Sequence, residues 1–168
     1  MKKSLHTLLL LFLTTLCFAQ NDKPQRAAFK FKLAEDNLHY TKINVPQSDY
    51  FVKYKMLEIY ATEKLNIEVT LQNDTIATMK VVKKIVYPER TIVIDFKQKH
   101  ERGKLIGIML NIKNPFDKKL VYDANMFLIG GDKWIPTNVI PVYPKIQSFE
   151  SWPDPITTLC LCNWHFEK

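Results

Sequence analysis

The sequence predicts an all-β protein, an antiparallel β-sandwich, with a β-barrel as the alternative. Three observations carry this reading. Apolar and polar residues alternate with a period of two in several runs, as where Leu65, Ile67, Val69 and Leu71 interleave with Asn66, Glu68, Thr70 and Gln72. Turn-forming residues punctuate these runs at short intervals, at Asn73-Asp74, Asn114-Pro115-Phe116-Asp117 and Gly130-Gly131-Asp132. No stretch repeats its apolar residues at helical spacing.

Taken in order, the first strand places Phe29, Phe31 and Leu33 against Lys30 and Lys32, one face dry and one wet. Leu38 to Val45 follows and is closed by Pro46. Residues 51–60 are strand-prone with mixed faces. Leu65–Gln72 and Thr75–Val86 form the clearest hairpin, because Asn73 and Asp74 bond to nearby backbone and tolerate unusual dihedrals. Ile92, Ile94 and Phe96 share one face of the next strand. A charged loop, Lys97 to Lys104, leads to a strand carrying Ile106, Ile108, Leu110 and Ile112. Leu120 to Ile129 turns Leu120, Tyr122, Ala124, Met126 and Leu128 to one side. Pro136, Pro141, Pro144, Pro153 and Pro155 restrict residues 133–155 to edge strands and extended loop. The last strand, Ile156 to Phe166, is apolar on both faces. This gives seven to nine strands in a single domain over 29–168, preceded by a loose polar leader over 20–28.

Residues 1–19 read as a cleavable export signal. Lys2 and Lys3 give the cationic start, Leu8 to Leu13 the apolar core, and Ala19 the small residue before the cut. The apolar run is shorter than the roughly 20 residues a membrane-spanning helix needs. Cys17 follows Leu16, whereas lipid attachment calls for a small residue there, so the sequence argues against a lipid anchor. The expected destination is the periplasm, the extracellular space or the outer cell surface, with a soluble mature chain. Removing 1–19 from the 168 residues leaves 149, ample for one core. It also lowers the net charge from +7 to +5, since Lys2 and Lys3 are the only charged residues lost.

That surplus is mostly lysine; Arg26, Arg90 and Arg102 are the only arginines. Readers of phosphate and base edges rely on arginine's rigid fork, so the composition argues against nucleic-acid binding. The lysine pairs 83–84 and 118–119 fall near turns, where lysine serves solubility and blunts strand edges. Four glycines, Gly103, Gly107, Gly130 and Gly131, leave no phosphate-cradling loop, and no nucleophile motif surrounds a serine. No cofactor is expected.

Cys160, Cys162 and His165 carry the ligand types zinc prefers. Against a metal site, the cysteines are spaced by one residue, and a straight strand puts His165 on the opposite face. Buried free thiols are the favoured reading, because i and i+2 on a strand are poorly placed for a disulfide. For ligand binding the candidates are Trp134, Trp152 and Tyr143, with Phe149 nearby, in the proline-rich segment. They are read either as a glycan-binding platform or as cover for the end of the core. Asn73-Asp74-Thr75 matches the N-glycosylation pattern.

Two resemblances accompany these readings. The signal ending Cys17-Phe18-Ala19-Gln20, with its lysine-rich and arginine-poor chain, is similar in style to exported proteins of Bacteroidetes-type bacteria. The strand–turn–strand over Asn111 to Asn125 resembles the central hairpin of immunoglobulin-like accessory domains, which implies an immunoglobulin-like sandwich. The functional expectation is a non-enzymatic module for protein interaction or envelope structure. Its partner would be another envelope or extracellular protein, met at an exposed edge or through residues 133–155. The alternatives are a small envelope enzyme, hydrolytic or metal-dependent, and a carbohydrate-binding module using exposed tryptophans.

Overall fold

A computed structural model describes residues 21–102 and 104–167; residues 1–19, read from sequence as an export signal, and with them Cys17, lie outside the described residues. In chain order the strands are β1 (Gln25–Arg26), β2 (Phe29–Ala34), β3 (Tyr40–Val45), β4 (Ser48–Asp49), β5 (Phe51–Lys53), β6 (Met56–Tyr60) and β7 (Thr62–Gln72). They continue as β8 (Thr75–Val82), β9 (Thr91–Glu101), β10 (Lys104–Lys113), β11 (Leu120–Leu128), β12 (Ile135–Thr137), β13 (Gln147–Trp152) and β14 (Ile156–Phe166). One short 3-10 turn, Pro88–Arg90, precedes β9. No helix among the described residues is long and apolar enough to cross a membrane.

Two five-stranded antiparallel sheets form the sandwich, in the orders β13-β10-β9-β7-β8 and β12-β11-β14-β6-β5. Each ends in edge strands rather than closing on itself, which distinguishes the fold from a barrel. The alternation read from the sequence supplies the core. Leu65, Ile67, Val69, Ile92, Ile94, Phe96, Ile108, Leu110 and Ile112 point inward from the first sheet. They meet Leu57, Ile59, Leu120, Tyr122, Leu159, Leu161 and Trp164 of the second, all 3 % exposed or less. Each aliphatic side chain so buried contributes about 1.5–3 kcal/mol to folding. Among the described residues Cys160 and Cys162 are free thiols, so no bridge between them adds to this core.

The β7–β8 hairpin turns at Asn73 and Asp74, both with positive φ (48° and 61°), as a two-residue hairpin turn matching strand twist requires. β8 stops at Val82, short of the expected Val86. The expected charged loop over Lys97–Lys104 is instead ladder. Lys97 to Glu101 pair with Met109 back to Lys104, leaving a tight turn at the tip. Gln98 helps to hold this extension: its side-chain amide donates to the Ala34 carbonyl (2.7 Å) and accepts from the Ala34 N–H (3.0 Å). Gly107 sits where the register shifts, at φ +136°, with the Trp152 carbonyl oxygen 2.5 Å from where a Cβ would stand. Only glycine lets β13 lie against β10 at that point.

The stretch over Asn111–Asn125 is not a hairpin. β10 belongs to the first sheet and β11 to the second, so Asn114-Pro115-Phe116-Asp117 carries the chain across the sandwich. Asn114 organises that crossing. Its fully buried amide donates to the carbonyls of Lys118, Val142 and Tyr143, and its Oδ1 accepts from the Phe116 N–H.

The segment read as a loose leader is pinned to the domain from residue 21 onward. Lys23 N–H donates to the Val81 carbonyl, Lys83 N–H to the Asn21 carbonyl, and β1 pairs with β4. The physical reason is Arg26, a charge that polar, proline-containing sequence gives no cause to expect inside a core. It is 1 % exposed, stacked between the rings of Tyr50 and Tyr60 (4.6 and 4.8 Å).

Candidate functional site

On the outer face of the second sheet, outward residues alternate with the core residues. Tyr60, Glu58 and Met56 line up on β6, Thr158, Cys160 and Cys162 on β14, and Phe127, Asn125 and Asp123 on β11. Cys160 stands in register between Glu58 on one neighbouring strand and Asn125 on the other. Val52 and Met56 rise on one side of this row and Trp134 on the other, enclosing a groove of about 530 Å³ floored by Cys160. Trp134 is 42 % exposed and held by the ring of Phe127, edge to face at 5.5 Å.

The polar groups of the groove differ in how they are held. Glu58 lies beside Arg26 (Oε2 to Nη1, 3.6 Å) and accepts a long hydrogen bond from the Tyr60 hydroxyl (3.3 Å). Burial, together with the Glu58 carboxylate, pushes the Tyr60 hydroxyl up to about 12. Burial likewise pushes the Cys160 thiol up to about 11, with Cys162 and Glu58 adding to the effect. Thiolate is the nucleophilic and metal-binding form, so this thiol is a neutral, unreactive floor at neutral pH.

The three residues proposed from sequence for ligand binding do not form one platform. Trp134 borders the groove. Trp152 packs against the core and donates from Nε1 to Thr137 Oγ1 at 2.9 Å, tying an edge strand of one sheet to an edge strand of the other. Tyr143 is exposed in the segment between β12 and β13, with the Lys119 ammonium 4.9 Å from its ring centre.

Cys160, Cys162 and His165 are arranged in a way the straight-strand reading missed. Asn163 adopts φ +54° and the β11–β14 register shifts there, so that Trp164 turns inward and His165 outward, as the cysteines are. The bulge restores a common face, yet among the described residues no three His, Cys, Asp or Glu side chains are grouped to hold a metal. The His165 ring is engaged through Nδ1 by the Asn163 carbonyl (2.7 Å). Of the remaining histidines, His39 meets Asp36 at 2.8 Å in the exposed β2–β3 turn, and His100 lies on the β9–β10 extension. Neither lines the groove.

A second surface lies on the first sheet. Its edge strand β13 pairs on one side with β10. Ile140, Tyr143, Ile146 and Phe149, within and just before β13, are each at least half exposed. Among the edges of the two five-stranded sheets, β5 and β12 are three residues long, and residues 21–23 cover the Val81–Lys83 end of β8. Beside β13, across the outer face of this sheet, Asn111 is paired with Phe149 and is 5 % exposed. Its Oδ1 has no hydrogen-bond partner among the described residues.

Sequence reasoning reached Trp134 and the edge character of β13 through aromatic content and proline spacing. It missed Glu58, Asn125, Val52 and Met56, because a groove across four strands has no local sequence signature. Compared with family models, curated proteins and solved structures, the chain matches none of them significantly.

Proposed function

We propose that the protein is an exported, non-enzymatic envelope module that binds another protein by accepting an extended segment of it along β13. The observation that carries this reading is the contrast among edges. An unprotected strand edge offers a row of free N–H and C=O groups, and natural proteins blunt such edges with charge, brevity or cover. β13 is six residues long and exposes Phe149 along its outer face. Its one charged residue, Glu150, is turned to use within the domain, where Oε1 accepts from the Ile140 N–H at 2.7 Å. Ile146 and Phe149 stand where an added strand would lay its own side chains, and backbone pairing would supply affinity with little sequence signature.

Charge favours a different protein over a second copy. Lys113 lies across from Gln147 and Lys145 just precedes the strand, so two copies paired at this edge would bring lysines together. The mature chain's surplus of positive charge opposes self-association as well. The fitting partner is an apolar extended segment with acidic flanks. The export signal read over residues 1–19 supports an envelope or extracellular setting. An enzymatic reading has less support, since the described histidines lie outside the groove and the Cys160 thiol is held protonated.

The test compares wild type with the exposed-edge variant I146K/F149K. Both are used to capture proteins from native envelope extract, and captured proteins are then assayed for direct binding after purification. A purified partner that binds the wild type and loses at least about tenfold affinity for the variant, an ordinary loss for one strong contact, supports the reading. Equal binding by both forms would refute it. Concentration-dependent dimerisation of the wild type, abolished in the variant, would assign the edge to a second copy instead.

A further inference from the structure

We propose that the groove on the outer face of the second sheet binds a neutral saccharide, stacked on Trp134 and hydrogen-bonded by Asn125 and Glu58. The site is separate from β13 and does not depend on the reading given for that edge. A sugar ring offers a flat face of C–H groups to an aromatic plane and a rim of hydroxyls that both donate and accept. Trp134 supplies the plane, partly exposed and braced at 5.5 Å by Phe127, so little order is lost when a ring settles on it. Val52 and Met56 form the apolar wall opposite.

The polar groups match the rim. Glu58 and Asn125 flank Cys160 on neighbouring strands, which places their backbones about 10 Å apart. The Asn125 amide has no hydrogen-bond partner among the described residues and offers both a donor and acceptors. The Glu58 carboxylate accepts only, and its contacts with Arg26 and Tyr60 fix its position. Among the described residues no Lys, Arg or His lines the groove, which disfavours phosphate, sulfate or uronate ligands. The volume, about 530 Å³, falls within the range of small-ligand sites.

The experiment titrates the purified mature domain with neutral β-1,4-linked glucose, xylose and mannose oligomers, and with oligogalacturonate, by calorimetry and tryptophan fluorescence. The expected result is binding of at least one neutral class with a change in emission. W134A should weaken it by at least about tenfold, and N125A should weaken it too. V52R, at the exposed rim, serves as a blocking variant should W134A fold poorly, and L38K, in the exposed β2–β3 turn, should leave binding unchanged. No neutral oligomer bound at millimolar concentration, a preference for oligogalacturonate, or binding indifferent to both W134A and V52R would overturn the proposal.

Discussion

Arg26 and Glu63 meet through two parallel hydrogen bonds, Nε to Oε1 at 2.9 Å and Nη2 to Oε2 at 3.0 Å, at a position where the arginine is almost wholly buried. Two of the three remaining donors are used as well, by Ser48 Oγ at 2.9 Å and the Glu58 carbonyl at 2.7 Å. Glu63 completes the arrangement by accepting from the Tyr60 N–H at 2.9 Å. The cluster joins β1 and β4 to the point where the chain passes from β6 to β7, that is, from one sheet to the other.

Removing the arginine strands a buried carboxylate. Arg26→Ala is therefore expected to cost about 3–5 kcal/mol in urea unfolding, the range for breaking a buried ion pair from one side. Arg26→Lys should recover little of this, because an ammonium cannot reproduce the planar fork or its stacking between two tyrosines. A loss below about 1 kcal/mol for Arg26→Ala, the scale of an exposed pair, would show that the cluster is solvated.

Asn111 and Asn114 are predicted to behave in opposite ways. Asn111 keeps a buried Oδ1 without a partner, so Asn111→Leu should be neutral or stabilising by up to about 1 kcal/mol. Asn114 satisfies four backbone groups, and Asn114→Ala should cost at least about 2 kcal/mol by leaving several of them unpaired. Thermal and urea unfolding of the two variants checks both signs. Equal effects would contradict the distinction.

Alkaline pH should weaken the fold in a way traceable in part to Cys160. Its thiol ionises near 9 when unperturbed and is pushed up to about 11 by burial. An acid whose folded pKa is raised stabilises the fold fully below its unfolded pKa, and loses that contribution as pH rises through the folded value. Stability should therefore fall between about pH 9 and 11. Tyr60, pushed up to about 12, extends the decline to higher pH. In Cys160→Ala the fall over the lower interval should be shallower than in wild type, measured as the urea midpoint against pH. Identical slopes would contradict the assignment. At pH 8, Cys160 should also alkylate more slowly than the half-buried Cys162.

The parts of the fold legible in the sequence are those with local causes. The alternation over 65–69 marks the inward face of β7, and Asn73-Asp74 its turn, because both depend on neighbouring residues; Leu71, expected on the same face, is exposed beyond a register shift after Thr70. Pro136 suits β12 to an edge, since proline cannot donate to a ladder, and Pro144 and Pro153 bound β13, the edge strand of the other sheet. Arg26 was hidden because its principal partner is 37 residues away and its surroundings read as loose polar chain. The bulge at Asn163 was hidden too. Nothing nearby distinguishes it from a regular strand, yet it decides which way His165 points. The Trp134 groove depends on four strands brought together by the sheet order, and only its tryptophan was visible beforehand.

The central claim, recognition by strand addition at β13, is tested most directly by hydrogen–deuterium exchange of the domain, free and bound to its purified partner. The account predicts slowed exchange concentrated in residues 146–152, with the amides of β8, at the opposite edge of the same sheet, unchanged. Protection located elsewhere, with residues 146–152 exchanging at the free rate in the complex, would contradict it.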